Sequence, residues 1–376
     1  MKLCRFDMPK SICVLQLLPS LNNGGVEKGT IEVANALAKA GHLSYVASTG
    51  GRLVQSLVDN GSTHVTMKIG EKSPLSLIGI FQLRKFLQEH KVDIIHARSR
   101  LPAWLMKFAL MLTPKSNKPR FITTCHGAHS VNFYSSVMGR SEKVIAVSNF
   151  IKDYLVDNYN TDEQLITVIH RGVSETEFPF GFTPSEDWLR KWRENYPTLS
   201  GKKILCLPGR LTRLKGHKDF IELVNRVHRT QDNVVGLIVG AEDPKRQSYA
   251  HEIYQLAKKS SAPIIFTGQR NDIREIYAIS DIVYSLSNKP ESFGRTVLEP
   301  LCLGKQTLGY AHGGVSEILG ELYPQGRVTL GDIDGLTAKT IRLLNSPEAP
   351  SKHGAEIFSL ENMVSQTLSL YKSLIS

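Results

Sequence analysis

Two carboxylates stand eight positions apart in Glu291-Ser-Phe-Gly-Arg-Thr-Val-Leu-Glu299, directly after the apolar run 282–286. A glutamate beside a bound sugar can accept hydrogen bonds from two hydroxyls at once. Between the acids, Gly294, Arg295 and Thr296 open a helix, and free N–H groups at a helix start suit a phosphate. A second cluster, Gly209-Arg210-Leu-Thr-Arg-Leu-Lys215-Gly216, follows the apolar run 204–207. That spacing can bring a guanidinium and an ammonium onto one diphosphate and offset charge on a departing nucleotide. Arg213 is a spare cation in the same loop.

Such groups work only if strand ends and helix starts converge on them. The sequence alternates short apolar runs with amphipathic stretches, which predicts a parallel, doubly wound α/β sheet. Strands are expected at 12–18, 43–47, 92–96, 121–125 and 144–147, with helices at 25–40, 75–89, 101–112 and 149–158. The pattern pauses over 178–200, where Pro179, Pro184, Pro197, Gly181 and Gly201 mark a linker with one short helix. It resumes with strands at 203–207, 234–239, 263–267, 281–286 and 307–310. The chain therefore reads as two Rossmann-like domains facing across a cleft, 1–180 and 181–355. A final helix follows over 356–376, with Leu360, Met363, Val364, Leu368, Tyr371 and Leu374 on one face.

Composition narrows the function. The chain has 376 residues, 41% hydrophobic and 22% charged, an ordinary globular balance. No apolar run approaches a membrane span. The five cysteines (4, 13, 125, 206, 302) show no C-x-x-C pair, which argues against a disulfide framework or zinc site. Net charge is +11, and residues 94–141 hold seven Lys/Arg and no Asp or Glu. This field attracts anions: phosphates or acidic lipids before nucleic acid, since no stacking platform accompanies it. Arg98-Ser-Arg100 opens a stretch carrying Trp104, Met106 and Phe108. It suits either an acceptor with phosphate and lipid parts or a core helix with a solvated start. Asp332-Ile333-Asp334 is the only Asp-x-Asp and reads as a helix N-cap, so no metal is required.

Six motifs in order resemble the family 4 retaining glycosyltransferases of GT-B fold. They are Asn22-Asn-Gly24-Gly25-Val-Glu27, Thr124-Cys-His126-Gly127, Val144-Ile-Ala-Val-Ser148, the loop from Gly209 to Gly216, the Glu-x7-Glu segment, and His312-Gly313-Gly314-Val-Ser-Glu317. The resemblance covers nearly the whole chain. It implies a cleft active site, with acceptor binding in the first domain, donor binding in the second, and the last helix crossing back onto the first. By that resemblance Arg210 and Lys215 bind the donor diphosphate, Glu291 the transferred sugar and Glu299 the ribose. His126 lies close to the donor sugar, with His129 nearby. Gly24, Gly25, Phe293, Gly294, Arg295, Thr296, Gly313 and Gly314 line the donor, and Gln269 with Arg270 falls in the base-binding region. Arg171-Gly172 departs from the more usual Asn-Gly, which leaves the role of Arg171 open, a place in the anion-binding field being one option.

The implied reaction moves a sugar from a UDP- or GDP-sugar to an acceptor hydroxyl, with retention and without a metal cofactor. The segments 96–100, 148–150 and 358–363 look like bacterial lipopolysaccharide-core transferases. They imply a lipid-linked saccharide acceptor and a cytoplasmic enzyme that can dock on the inner membrane. A soluble-acceptor transferase, a nucleotide-sugar isomerase of the same architecture and a non-catalytic nucleotide-binding scaffold stay open.

Overall fold

The computed structural model describes residues 11–22, 24–71, 73–114, 118–244, 247–352 and 355–375. Cys4, Asn23 and Lys115, used above, lie outside them. Contacts divide the chain into two units: 1–171 with 361–376, and 172–360. The divisions thus fall at 171/172 and 360/361, not at the 180/181 and 355/356 expected from sequence.

The first unit is a seven-stranded parallel sheet. Its strands are β1 (Cys13–Leu17), β2 (Leu43–Ser48), β3 (Thr63–Thr66), β4 (Ile94–Ala97), β5 (Arg120–Cys125), β6 (Lys143–Ala146) and β7 (Ile166–Val168). Their order is β3-β2-β1-β4-β5-β6-β7. The second unit holds β8 (Lys203–Pro208), β9 (Val234–Val239), β10 (Ile264–Phe266), β11 (Ile282–Ser285), β12 (Gln306–Tyr310) and β13 (Arg327–Val328), in the order β10-β9-β8-β11-β12-β13. Both are parallel and doubly wound. In each, strand order reverses beside the first strand, where the loops of two adjacent strands diverge and leave a crevice. In the second unit that crevice lies between the ends of β8 and β11.

β1, β9 and β11 are buried along their whole length, as befits strands covered by helices on both faces. Sequence pattern missed β3, β7 and β13. These sit at or near sheet edges, are two to four residues long, and are only partly buried at most positions, so no apolar run marks them.

The last helix, Leu360–Ile375, buries Met363, Thr367 and Tyr371. From Glu361 onward it belongs to the first unit: Tyr371 Oη lies 2.6 Å from His96 Nδ1, and Arg120 Nε donates to Leu374 O at 3.0 Å. The linker helix is Glu186–Asn195, capped by Ser185, whose hydroxyl accepts from Trp188 N. Asp332 caps the helix Ile333–Asn345 by accepting from Gly335 N at 2.8 Å, while Asp334 pairs with Arg226.

Candidate active site

In the second unit two loops are zipped together at the β8/β11 crevice. Gly216 has φ of +69°, and a Cβ there would fall 2.0 Å from Leu286 O, so only glycine lets the β8 loop lie against the exit of β11. Asn288 fastens the contact, its N–H donating to Leu214 O at 2.8 Å and its side chain to Arg213 O at 3.2 Å. This approach delivers Lys215 to Glu291, with Nζ 2.6 Å from Oε1.

Ser287 Oγ also donates to Glu291 Oε1, and His312 Nε2 donates to Ser287 O at 2.7 Å. The β12 loop joins through the backbone, with Gly314 N donating to Glu291 O at 2.8 Å. Burial pushes the Glu291 carboxyl up, but the Lys215 charge and the hydrogen bonds from Lys215 and Ser287 outweigh it and hold the pKa below the ordinary value. Glu291 is therefore an ionised acceptor at neutral pH.

The helix Arg295–Cys302 starts at the crevice, with Gly294 as its left-handed N-cap (φ +116°). Pro300 lies inside this helix, at its sixth residue, where its missing N–H forgoes one backbone bond. Glu299 is buried on this helix; Arg295 Nε donates to its Oε1 at 2.9 Å, and Tyr277 Oη to its Oε2 at 3.5 Å. Arg210, at the end of β8, is exposed, with no ion pair among the described residues. An ammonium bound to an ionised carboxylate, with a helix starting in the same loop, is a set that can hold phosphate and sugar hydroxyls together.

Gly313 and Gly314 are steric requirements. Gly313 has φ +56°, and a Cβ there would sit 2.6 Å from Glu291 O. One on Gly314 would sit 2.4 Å from Phe293 O and 2.5 Å from Phe293 Cα. Gly313→Ala is expected to lower stability by about 1–3 kcal/mol in urea unfolding, through strained backbone and the displaced carbonyl of Glu291.

Other expected residues are placed differently. The Phe293 ring is core, edge-to-face with Phe358 at 6.0 Å, which leaves only its backbone near the glycine turn. Gln269 and Arg270 follow β10, two strands from β8, and line a cavity of about 580 Å³ with Phe178 and Asp272. Arg270 is bidentate to Asp272 (2.9 and 2.7 Å) and stacks over Trp192 at 5.6 Å. Sequence reading missed Ser287, Trp192 and Tyr277, and it treated His312 only as part of a glycine turn.

The first unit gathers a buried polar cluster at the ends of β1, β4, β5 and β7. Arg98 Nε donates to Gln16 Oε1 at 2.8 Å, and Gln16 Nε2 to Thr30 O at 3.1 Å. Arg98 also bonds Tyr371, so the tyrosine O–H is free to donate to His96 Nδ1, and His96 Nε2 donates to Thr124 Oγ1 at 2.5 Å. Burial, then Arg98, drives His96 well below the ordinary pKa, consistent with this neutral tautomer. Arg171 reaches both His126 Nδ1, at 3.2 Å, and Gly25 O. Gly29 leaves room for it: a Cβ there would lie 2.4 Å from Arg171 Nη2. Sequence reading had given Gly29 no role and Arg171 only a place in the anion-binding field.

Two doubly wound units, one holding cations and an ionised acid at its switch point, are the architecture of GT-B glycosyltransferases. Residues 23–177 match the family Glycosyltransferase Family 4, and residues 190–357 match Glycosyl transferases group 1. The chain belongs to these family 4, group 1 glycosyltransferases. It is similar to a glycosyltransferase from Rickettsia africae ESF-5, with 30% identity, TM-score 0.84, and 97% of this chain and 99% of that one covered. The fold is shared with Anabaena Alr3699/HepE in complex with UDP-glucose, at 18% identity and TM-score 0.80, with 96% and 100% covered. The N-acetyl-alpha-D-glucosaminyl L-malate synthase of Bacillus anthracis is 23% identical over 95% of each chain.

Proposed function

We propose that the protein transfers a sugar, with retention of configuration and without a metal, from a UDP- or GDP-sugar to a hydroxyl of a lipid-linked saccharide. The product would be part of a lipopolysaccharide or another cell-surface glycan. The observation that carries the reading is the Lys215–Glu291–Ser287–His312 constellation beside the Gly294–Thr296 helix start. The donor's diphosphate takes Arg210, Lys215 and the amides; the transferred sugar's hydroxyls take Glu291; the ribose takes Glu299; the backbone of Gly313 and Gly314 closes around the sugar. The bond from the anomeric carbon to the phosphate oxygen breaks as the acceptor oxygen bonds to the same face. The acceptor's proton passes to the leaving phosphate, which the cations stabilise. His126 donates from Nε2 to a sugar hydroxyl, and the Gly24–Gly25 turn borders the phosphates.

A UDP donor is supported by the UDP-glucose bound in the Anabaena neighbour. The lipid-linked acceptor is supported by the acid-free basic stretch 94–141 and by the motif resemblance to lipopolysaccharide-core enzymes. The same features favour work at the cytoplasmic face of a membrane. No helix among the described residues is long and apolar enough to cross one.

Calorimetric titration with UDP and GDP, in EDTA, tests the donor half. One of the two should bind, and transfer should continue in EDTA. Failure of both to bind, or transfer that stops in EDTA and returns with a divalent ion, overturns the reading. Donor consumption that needs no acceptor and yields an isomeric nucleotide sugar would replace it with isomerase activity.

A further inference from the structure

The helix Arg100–Met111 wears its apolar residues on two faces. Pro102, Ala103, Leu105, Met106 and Ala109 are buried. Met106 therefore belongs to the core, in keeping with the core-helix alternative for this stretch. Trp104, Phe108 and Met111 follow at i, i+4 and i+7 on the other face, with Leu112 beside them. Phe108 is 44% exposed and Met111 71%. Phe133, 70% exposed, rests against Trp104 at 5.1 Å, and Trp104 stacks on Phe108 at 5.8 Å. The indole N–H is tied to Tyr134 O at 2.8 Å, so the aromatic platform is held in place from beneath.

Cations ring this platform. Lys107 Nζ lies 5.8 Å over Trp104, and the Arg140 guanidinium 5.6 Å over Phe133. Arg100 stands 5.4 Å over Tyr134. None of the three pairs with a carboxylate among the described residues, and no Asp or Glu occurs in residues 94–141. A contiguous exposed patch of large apolar side chains marks a contact surface. Aromatic rings suit the headgroup layer of a bilayer, with flanking Lys and Arg reaching lipid phosphates.

We propose that this face docks on an anionic lipid surface, with Phe133, Phe108 and Met111 entering the headgroup layer while Lys107 and Arg140 meet phosphates. It extends the lipid-linked acceptor reading by naming the surface through which the enzyme would reach such an acceptor. The unpaired positive rim selects a negatively charged occupant over a neutral apolar one.

Flotation of the full chain with phosphatidylcholine vesicles, with and without phosphatidylglycerol, at low and high salt, tests it. The bound fraction should rise about tenfold or more on the anionic vesicles at low salt and fall at high salt. Phe133→Ser with Met111→Ser, and separately Lys107→Glu with Arg140→Glu, should each remove most of it while UDP binding stays unchanged. Binding indifferent to lipid charge, or variants that float as well as the parent, would overturn the proposal. So would a lipid-independent dimer that the same substitutions dissociate, because a second copy would then be the occupant. A chain that floats but glycosylates no lipid-linked saccharide keeps this surface and loses the acceptor reading; one that transfers to such an acceptor in detergent yet does not float does the reverse.

Discussion

Lys215→Ala should cost about three orders of magnitude in transfer rate, because it removes a fixed cation from a departing diphosphate. The structure adds a consequence for stability. Lys215 is the ion-pair partner of Glu291, with their side chains 27% and 20% exposed. Without it, burial is no longer outweighed, and the Glu291 carboxyl moves up from its present depressed position. The sign of the pH dependence then reverses. In the native protein a depressed folded pKa contributes stability that is present above the unfolded value, near 4.5, and is lost as pH falls through the folded value. In the variant a raised folded pKa makes the ionised carboxylate a liability, so stability falls as pH rises past the unfolded value. Urea midpoints from pH 3 to 7 should therefore slope in opposite directions, the native protein losing the Glu291 contribution below 4.5 and the variant losing stability above it. Lys215→Ala combined with Glu291→Gln should recover stability but not turnover. A single variant that retains a tenth or more of the native rate would remove Lys215 from the chemistry.

What could be read in advance follows from how far apart cooperating residues lie along the chain. Glu291, Gly294 and Glu299 share one strand–loop–helix passage, so their spacing alone placed the loop and the start of the helix, while the roles of the two acids came from the family resemblance. The Lys215–Glu291 pair joins positions 76 apart, and nothing in the linear pattern signals it beyond two strand ends. Its structural cause, Gly216 against Leu286 O, is a packing fact that no local pattern encodes. The fold was legible where strands are buried on both sides and obscure at short edge strands. Phe293 shows the opposite failure: it sits inside a functional motif, yet its ring serves the core. Most remote of all is the Tyr371–His96 bond, spanning 275 positions, which fastens the last helix to the first sheet.

Arg171→Ala is expected to slow transfer by roughly 10²-fold with little change in donor affinity, by releasing His126 from a single tautomer. Arg171 is a positioning residue, not a catalytic one. An arginine can only donate, so His126 Nδ1 must accept, and the ring proton must reside on Nε2. That Nε2 is buried and has no partner among the described residues, which leaves one N–H donor free for a ligand oxygen. Burial first, then the charges of Arg171 and Arg98, keeps the imidazole neutral well below the ordinary range. Because the folded state binds this proton more weakly, His126 costs stability as pH falls below the unfolded value of about 6.5. Removing Arg171 deletes one of those cations and the bond to Gly25 O, so the ring should titrate closer to 6.5 and populate both neutral tautomers. Nitrogen-15 spectra of histidine-labelled protein from pH 5 to 8 would show both changes, and Arg171→Lys, which keeps the charge and can donate to Nδ1, should recover part of the rate. If His126 keeps its tautomer and its pKa in Arg171→Ala while the rate still drops, the guanidinium acts on a ligand directly and not through the imidazole.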